Sequence, residues 1–215
     1  MPGTESKPPG AAASADVYCL APLPPVLLVH GIWDSRERLR PLQDGLIARG
    51  LGPILAPSLI PNDGRARIEE LARQVAAHVD EVLPDGGPID VVGFSMGALV
   101  ARTWIQLGGG RARVRRFVSI SGPHHGTRTA FALPLAGVRQ MRPGSDLLRA
   151  LADDPAPWGD VEVHCLYTPY DVMVTPARTG VLPGARSSRA IPVLLHRWMI
   201  TDARALDAIA EILSA

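Results

Sequence analysis

Cysteine is nearly absent from the 215 residues: Cys19 stands beside a Pro/Gly/Ala-rich opening and Cys165 inside a strand-like run, which excludes a disulfide framework. A surplus of charge is missing as well. Lys and Arg number 22 against 21 Asp and Glu, so there is no strong field to hold phosphates or attract a membrane surface, and nucleic acid is not an expected partner. No apolar run approaches the roughly 20 residues needed to span a bilayer, and the opening MPGTESKPPGAAASAD lacks the continuous apolar core of a secretory signal. The expectations that follow are a cytoplasmic setting, no transmembrane segment, and a flexible tail over residues 1–20.

What the chain does contain is apolar material for one core: 47% of it is hydrophobic, and ordinary domain sizes leave little room for a second unit, so residues 21–215 read as a single domain. Short apolar runs alternate with helical periodicity, the pattern of a mostly parallel sheet covered by helices on both faces. Strands are expected at Val26–Val29, Pro53–Ala56, Ile89–Val92, Arg116–Ile120, Val161–Tyr167 and Val193–Leu195. Helices are expected over Ser35–Arg49 (apolar face Leu39, Leu42, Leu46), Arg67–Val82 (Leu71, Val75, Val79, Val82) and Met96–Leu107. Two more follow Ser145 and Asp202, both suited to cap a helix. Thr127–Gly144 is irregular and apolar, with Phe131, Leu133, Leu135 and Met141 able to cover a pocket. The arginines Arg36, Arg38 and Arg40, interrupted by Glu37, and the group Arg111, Arg113, Arg115 and Arg116 read as solvated surface.

Chemistry concentrates at Gly93-Phe94-Ser95-Met96-Gly97, a G-x-S-x-G pattern set between a predicted strand and a predicted helix. Such a turn forces its serine into a strained conformation, and the glycines let strand and helix approach closely. The helix that follows aims free N–H groups and its positive dipole end at the serine. The competing reading, a tight turn around a serine without a chemical role, is disfavoured by that placement. In the α/β-hydrolase fold the nucleophile is followed along the chain by an acid and then a histidine. His196 alone among the six histidines lies after every plausible acid, and it follows the last predicted strand. Asp171 stands just beyond the strand ending at Tyr167, whereas Asp153, Asp154 and Asp160 fall at the other edge of a parallel sheet. The alternative for Asp171 is a turn residue that bonds its own backbone.

Five segments together, PVLLVHGIWDS, IDVVGFSMGALVAR, VSISGPHHGT, YTPYDVMVTP and VLLHRWMITD, resemble the small bacterial lipases and esterases of the α/β-hydrolase superfamily, over most of the chain from residue 25. The resemblance implies an α/β-hydrolase fold with no large lid domain. It also implies cleavage of carboxylic esters, of a small-molecule or lipid substrate, through an acyl-enzyme on Ser95, with the backbone N–H groups of Ile32 and Met96 as oxyanion donors. It differs from many relatives in having Phe94 in place of histidine and Ala98 in place of glycine. The missing lid favours small or medium acyl chains. His30 is expected to pack beneath the oxyanion loop. The adjacent His124 and His125 do not make a metal site, so neither metal nor cofactor is expected. Trp33, Leu133 and Trp198 are candidates to line the acyl pocket, with ordinary core packing as the alternative. Acyl transfer or thioester hydrolysis by the same triad remains open, as does, with less support, a non-catalytic binding scaffold. A monomer is expected.

Overall fold

Strands that are apolar on both faces need helices on both sides, and the computed structural model, which describes residues 23–215, meets that need with one parallel sheet. Its elements in chain order are β1 (Val26–Val29), α1 (Arg40–Ile47), β2 (Ile54–Leu55), α2 (Ile68–Val82), β3 (Ile89–Phe94), α3 (Met96–Leu107), β4 (Val114–Ile120), α4 (Ala136–Gln140), α5 (Asp146–Ala152), β5 (Glu162–Tyr167), β6 (Ser187–Ala190) and α6 (Ala203–Ser214). The six strands lie in the order β2-β1-β3-β4-β5-β6, all parallel. Successive side chains alternate between faces. Val26, Leu28, Val92, Phe94 and Val118 pack against Leu42 and Leu46 of α1 and Ile209 and Leu213 of α6. Leu27, Val29, Val91, Phe117 and Cys165 pack on the opposite side against Leu71 and Val75 of α2 and Leu99 and Trp104 of α3.

The α/β-hydrolase architecture anticipated from the sequence is therefore present, with no large lid among the described residues. Strand order reverses at β1, whose neighbours β2 and β3 lie on opposite sides of it. The loops leaving β1 and β3 diverge there and open a crevice at the carboxyl edge of the sheet, where ligands of open α/β sheets bind. No helix among the described residues is long and apolar enough to cross a membrane.

Several boundaries depart from the sequence reading. The strand expected to end at Val92 continues through Phe94, because Gly93 and Phe94 still pair with Ser119 and Ile120 of β4. The first crossover helix begins as a 3₁₀ turn, Glu37–Leu39, before α1, and Gly50 adopts φ +81° just beyond its end. Val82 lies at the exposed end of α2, outside the buried stripe. Val193–Leu195 is not a strand: Val193 is buried, but Leu194 and Leu195 project to the surface and lead into a 3₁₀ turn at His196–Ile200. The last strand is instead β6, a polar Ser-Ser-Arg-Ala edge without the apolar signature of its neighbours. Nor is the second arginine group solvated. Arg115 makes a paired contact with the buried carboxylate of Asp90 (Nε to Oδ1 2.9 Å), and buried Arg116 bonds Glu162 of β5 (3.2 Å). The expected tail, residues 1–20, lies outside the described residues.

Candidate active site

Only Ser95 separates β3 from α3, and it sits at φ 55°, ψ −124°, a conformation that costs a non-glycine residue about 1–3 kcal/mol. The flanking glycines make this turn possible. A Cβ at Gly93 would lie 2.6 Å from Cα of Ala98, and one at Gly97 would lie 2.2 Å from the carbonyl oxygen of Val29. Strand and helix backbones thus touch where side chains would otherwise keep them apart. The loop after β1 closes on the same point: a Cβ at Gly31 would be 3.2 Å from Cβ of Ser95. The next residue's N–H, that of Ile32, and the N–H of Met96 at the first position of α3 meet no acceptor among the described residues. Both belong to backbone that adjoins Ser95.

The loops after β5 and β6 supply the other two sequence-predicted groups. Nδ1 of His196 is 2.7 Å from Oδ2 of Asp171, and both side chains are nearly buried. The other oxygen of Asp171 accepts the N–H groups of Met173 (2.9 Å) and Val174 (2.8 Å). The carboxylate therefore fixes its own turn with one oxygen and meets the imidazole with the other. Nε2 of His196 has no partner among the described residues, and the ring lines the same cleft as Ser95.

Two supports of the imidazole were not foreseen. Phe94, adjacent to Ser95, packs its ring against His196 with centroids 4.9 Å apart. Arg197 donates to the buried carboxylate of Asp34 (3.0 Å), tying the histidine loop to the loop after β1 across 163 positions of sequence. The first was detectable as the unusual residue before the serine; the second had no local signal at all.

Two clefts meet at Ser95 and share Ile32, Trp33 and Met173 as walls. One, of about 200 Å³, is completed by Ala130, Leu133, Val138 and Met141 and has no charged side chain in its wall. Its far side is the Thr127–Gly144 excursion, folded here into a 3₁₀ turn and α4. The other, of about 400 Å³, carries Asp34, Arg38 and Arg197 beside His196. Of the three candidate pocket residues, Trp33 borders both clefts and Leu133 the uncharged one, while half-exposed Trp198 borders neither.

Three further histidines bond within the fold. His30 is fully buried beneath the loop after β1, with Nδ1 against the Gly31 carbonyl and Nε2 accepting the Leu59 N–H, both at 2.9 Å. His124 bonds Ser119 (2.6 Å) in the core, and exposed His125 bonds the Val181 carbonyl. Burial lowers the His30 pKa, and holds that of His124 far below the ordinary imidazole range, with Arg102 nearby adding to the effect. A base whose folded pKa is depressed is held neutral in the native state, so the unfolded chain takes up protons first as pH falls below about 6.5. Stability is accordingly full above that pH and is lost below it, by up to about 1.4 kcal/mol per pH unit for each histidine. A urea series from pH 7.5 to 5.0 is expected to show a falling midpoint that begins near pH 6.5; a flat midpoint would contradict this environment for both rings.

Comparison with known proteins bears on the family and on the fold. A sequence model of the family described as palmitoyl protein thioesterase matches residues 25–155. Among solved structures, the chain is similar to the mature lipase BlEst2 of Bacillus licheniformis, with a TM-score of 0.75 and 14% identity over 89% of this chain and 92% of that one. It is also similar to lipase B of Aspergillus fumigatus (TM-score 0.76, 16% identity, 90% of this chain and 53% of that one). A pyrethroid hydrolase from Sphingobium faniae JZ-2 superposes with a TM-score of 0.61 at 18% identity, covering 89% and 98% of the two chains. Comparison with curated proteins by sequence yields no match.

Proposed function

Because the chain belongs to the palmitoyl protein thioesterase family, we propose that it hydrolyses carboxylic esters through an acyl-enzyme intermediate on Ser95, with His196 as general base and Asp171 as its orienting acid. The observation that carries this reading is the 2.7 Å contact from Nδ1 of His196 to Asp171, which leaves Nε2 unpartnered in the cleft lined by Ser95. In the neutral ring, Nδ1 holds its proton against Asp171, and Nε2 is the basic nitrogen. The hydroxyl oxygen of Ser95 attacks the acyl carbon as Nε2 takes its proton. Oxyanion charge then falls within reach of the Ile32 and Met96 N–H groups, an interaction whose loss typically costs about 10²–10³ in rate. Collapse expels the alcohol or thiol, which leaves with the proton from Nε2. Water, deprotonated in turn by His196, attacks the acyl-serine and releases the acid.

The uncharged cleft is the natural place for the acyl chain, since an apolar chain gains about 0.8 kcal/mol per methylene removed from water and needs no hydrogen-bond partner. Trp33 and Leu133 are then acyl-pocket residues. A thioester reading is favoured specifically by the family match, and the same triad serves it without change. Matched oxyester and thioester series from acetyl to palmitoyl test both. Turnover peaking at one chain length in both series supports the proposal and sizes the cleft; turnover of neither rejects it. Product analysis with added alcohol separates hydrolysis from acyl transfer.

Asp171 gives a second test. Asparagine in its place keeps the shape but offers an amide that favours the wrong imidazole tautomer, and kcat is expected to fall by about 10⁴. Backbone N–H groups of Met173 and Val174 still find an oxygen acceptor, so the thermal midpoint is expected to move little. A variant within tenfold of the parent in kcat would remove Asp171 from the mechanism.

A further inference from the structure

The two clefts at Ser95 divide by charge. The smaller has no ionisable group in its wall; the larger holds Asp34, Arg38 and Arg197 next to His196. Asp34 is buried and already neutralised by Arg197, its carboxylate accepting the guanidinium at 3.0 Å while its backbone carbonyl accepts from Asn62. Asp171 is likewise committed, to His196 and to its own turn. Glu37, next along the chain, pairs with Arg36. Arg38 remains as an exposed cation in the cleft wall with no carboxylate within 4.0 Å among the described residues, where the sequence alone suggested only solvated surface.

An acyl ester bound across Ser95 places its chain on one side of the reacting carbon and its leaving group on the other. The apolar cleft can bury a chain but no anion, because a desolvated charge there would lack any compensating partner. The charged cleft has the opposite preference, with a surplus of one positive charge in its wall. We propose that the leaving group of the natural substrate carries a carboxylate or phosphate, and that Arg38 is the residue that selects it. This rests on the ester hydrolase reading above. Guanidinium suits either anion, since its fork of N–H donors matches two oxygens at once. Arg38 makes a specificity contact remote from the acyl carbon, so its effect belongs to the choice between substrates rather than to the chemical step.

The test uses hexanoyl thioesters of three thiols on the intact protein: 2-mercaptoethanol, 3-mercaptopropionate and 2-mercaptoethyl phosphate, with thiol release read by a thiol-reactive dye. The quantity of interest is the ratio of kcat/KM for each anionic thioester to that for the neutral one, which cancels any general loss in a variant. In the parent the ratio is expected to exceed one. It falls about fivefold in Arg38→Ala, the scale of a partly solvated ion pair, and falls further in Arg38→Glu. Arg38→Lys restores most of it, and about 0.5 M NaCl shrinks it in the parent through screening. The carboxylate and phosphate arms identify which anion is preferred, either one supporting the proposal. A ratio left unchanged by Arg38→Glu, with the neutral thioester still turned over, overturns the proposal and leaves the hydrolase reading standing. Failure of the parent to hydrolyse any of the three, or a neutral oxyester, overturns the underlying reading and this one with it.

Discussion

Replacing Ser95 with alanine is expected to lower kcat/KM for any ester substrate by about 10⁵- to 10⁶-fold, the usual scale for removing the nucleophile of a serine triad, while leaving the thermal midpoint unchanged. The separation of the two effects follows from how the turn is held. Its closing hydrogen bonds run through backbone alone, from Ser95 N–H to the Ile120 carbonyl (2.9 Å) and from Ala98 N–H to the Ser95 carbonyl (3.0 Å). Deleting the hydroxyl breaks neither. Labelling with a fluorophosphonate and mass mapping of the adduct give an independent readout: the parent reacts at Ser95 and the alanine variant does not. Glycine at the same position makes a sharper contrast. At φ 55° and ψ −124° a glycine is released from the strain that serine or alanine must bear. Ser95→Gly is therefore expected to be inactive yet more stable than Ser95→Ala, by about 1 kcal/mol, as read by urea unfolding. Residual turnover above 1% in either variant, on the order of what no oxyanion hole alone supplies, would place the nucleophile elsewhere.

The second large effect concerns Gly97. A Cβ there would sit 2.2 Å from the Val29 carbonyl oxygen, 2.4 Å from that of His30 and 2.7 Å from the Val29 carbonyl carbon. These are backbone atoms at the end of β1, a strand paired on both sides. No rotamer change relieves the overlap. Gly97→Ala must push α3 off the sheet or bend β1, and the expected loss exceeds about 3 kcal/mol, the upper range for overpacking a core. Against a typical total of about 5–15 kcal/mol, that loss is severe. A matched control is Gly109→Ala: Gly109 has φ +83° and nothing within 4 Å of the added Cβ, so only the roughly 1–2 kcal/mol of left-handed strain applies. Equal urea midpoints for the two variants would show that close approach at Gly97 is not what fixes the elbow.

The parts of this molecule that were legible in sequence are those whose physics is local. Val26–Val29 can only be a buried strand, and Met96–Leu107 runs from the elbow to a glycine stop, so both were bounded correctly. Residue order, together with position after a predicted strand, singled out His196 and Asp171, which the structure brings to 2.7 Å, although the strand expected just before His196 is not there. Misreadings arose where apolarity and strand geometry part company. Val193–Leu195 looks like a strand because all three residues are apolar, yet two of them are exposed, Leu195 in the wall of the cleft. Arg38, Arg115 and Arg116 looked alike as charged surface; whether each faces solvent, a buried Asp90 or a cleft depends on elements distant along the chain. The same holds for the Asp34–Arg197 pair and for the division of the site into two clefts of different polarity. Such features belong to loops far apart in sequence that the sheet brings together.

An open sheet has two edges, each with a row of backbone groups able to accept another strand, and here both are poor templates. At one end β2 is two residues long, between Pro53 and Pro57. At the other, β6 is Ser-Ser-Arg-Ala with three of its four residues exposed, and Arg189 is held by Glu211 of α6 (2.9 Å). Short, proline-flanked or charged borders resist edge-to-edge association. The polarity that hid β6 from a hydrophobicity-based reading thus bears on colloidal behaviour: it disfavours edge-to-edge joining of sheets at this border. Making Ser188 and Arg189 valine is expected to weaken that protection without touching β1, β3 or the turn at Ser95.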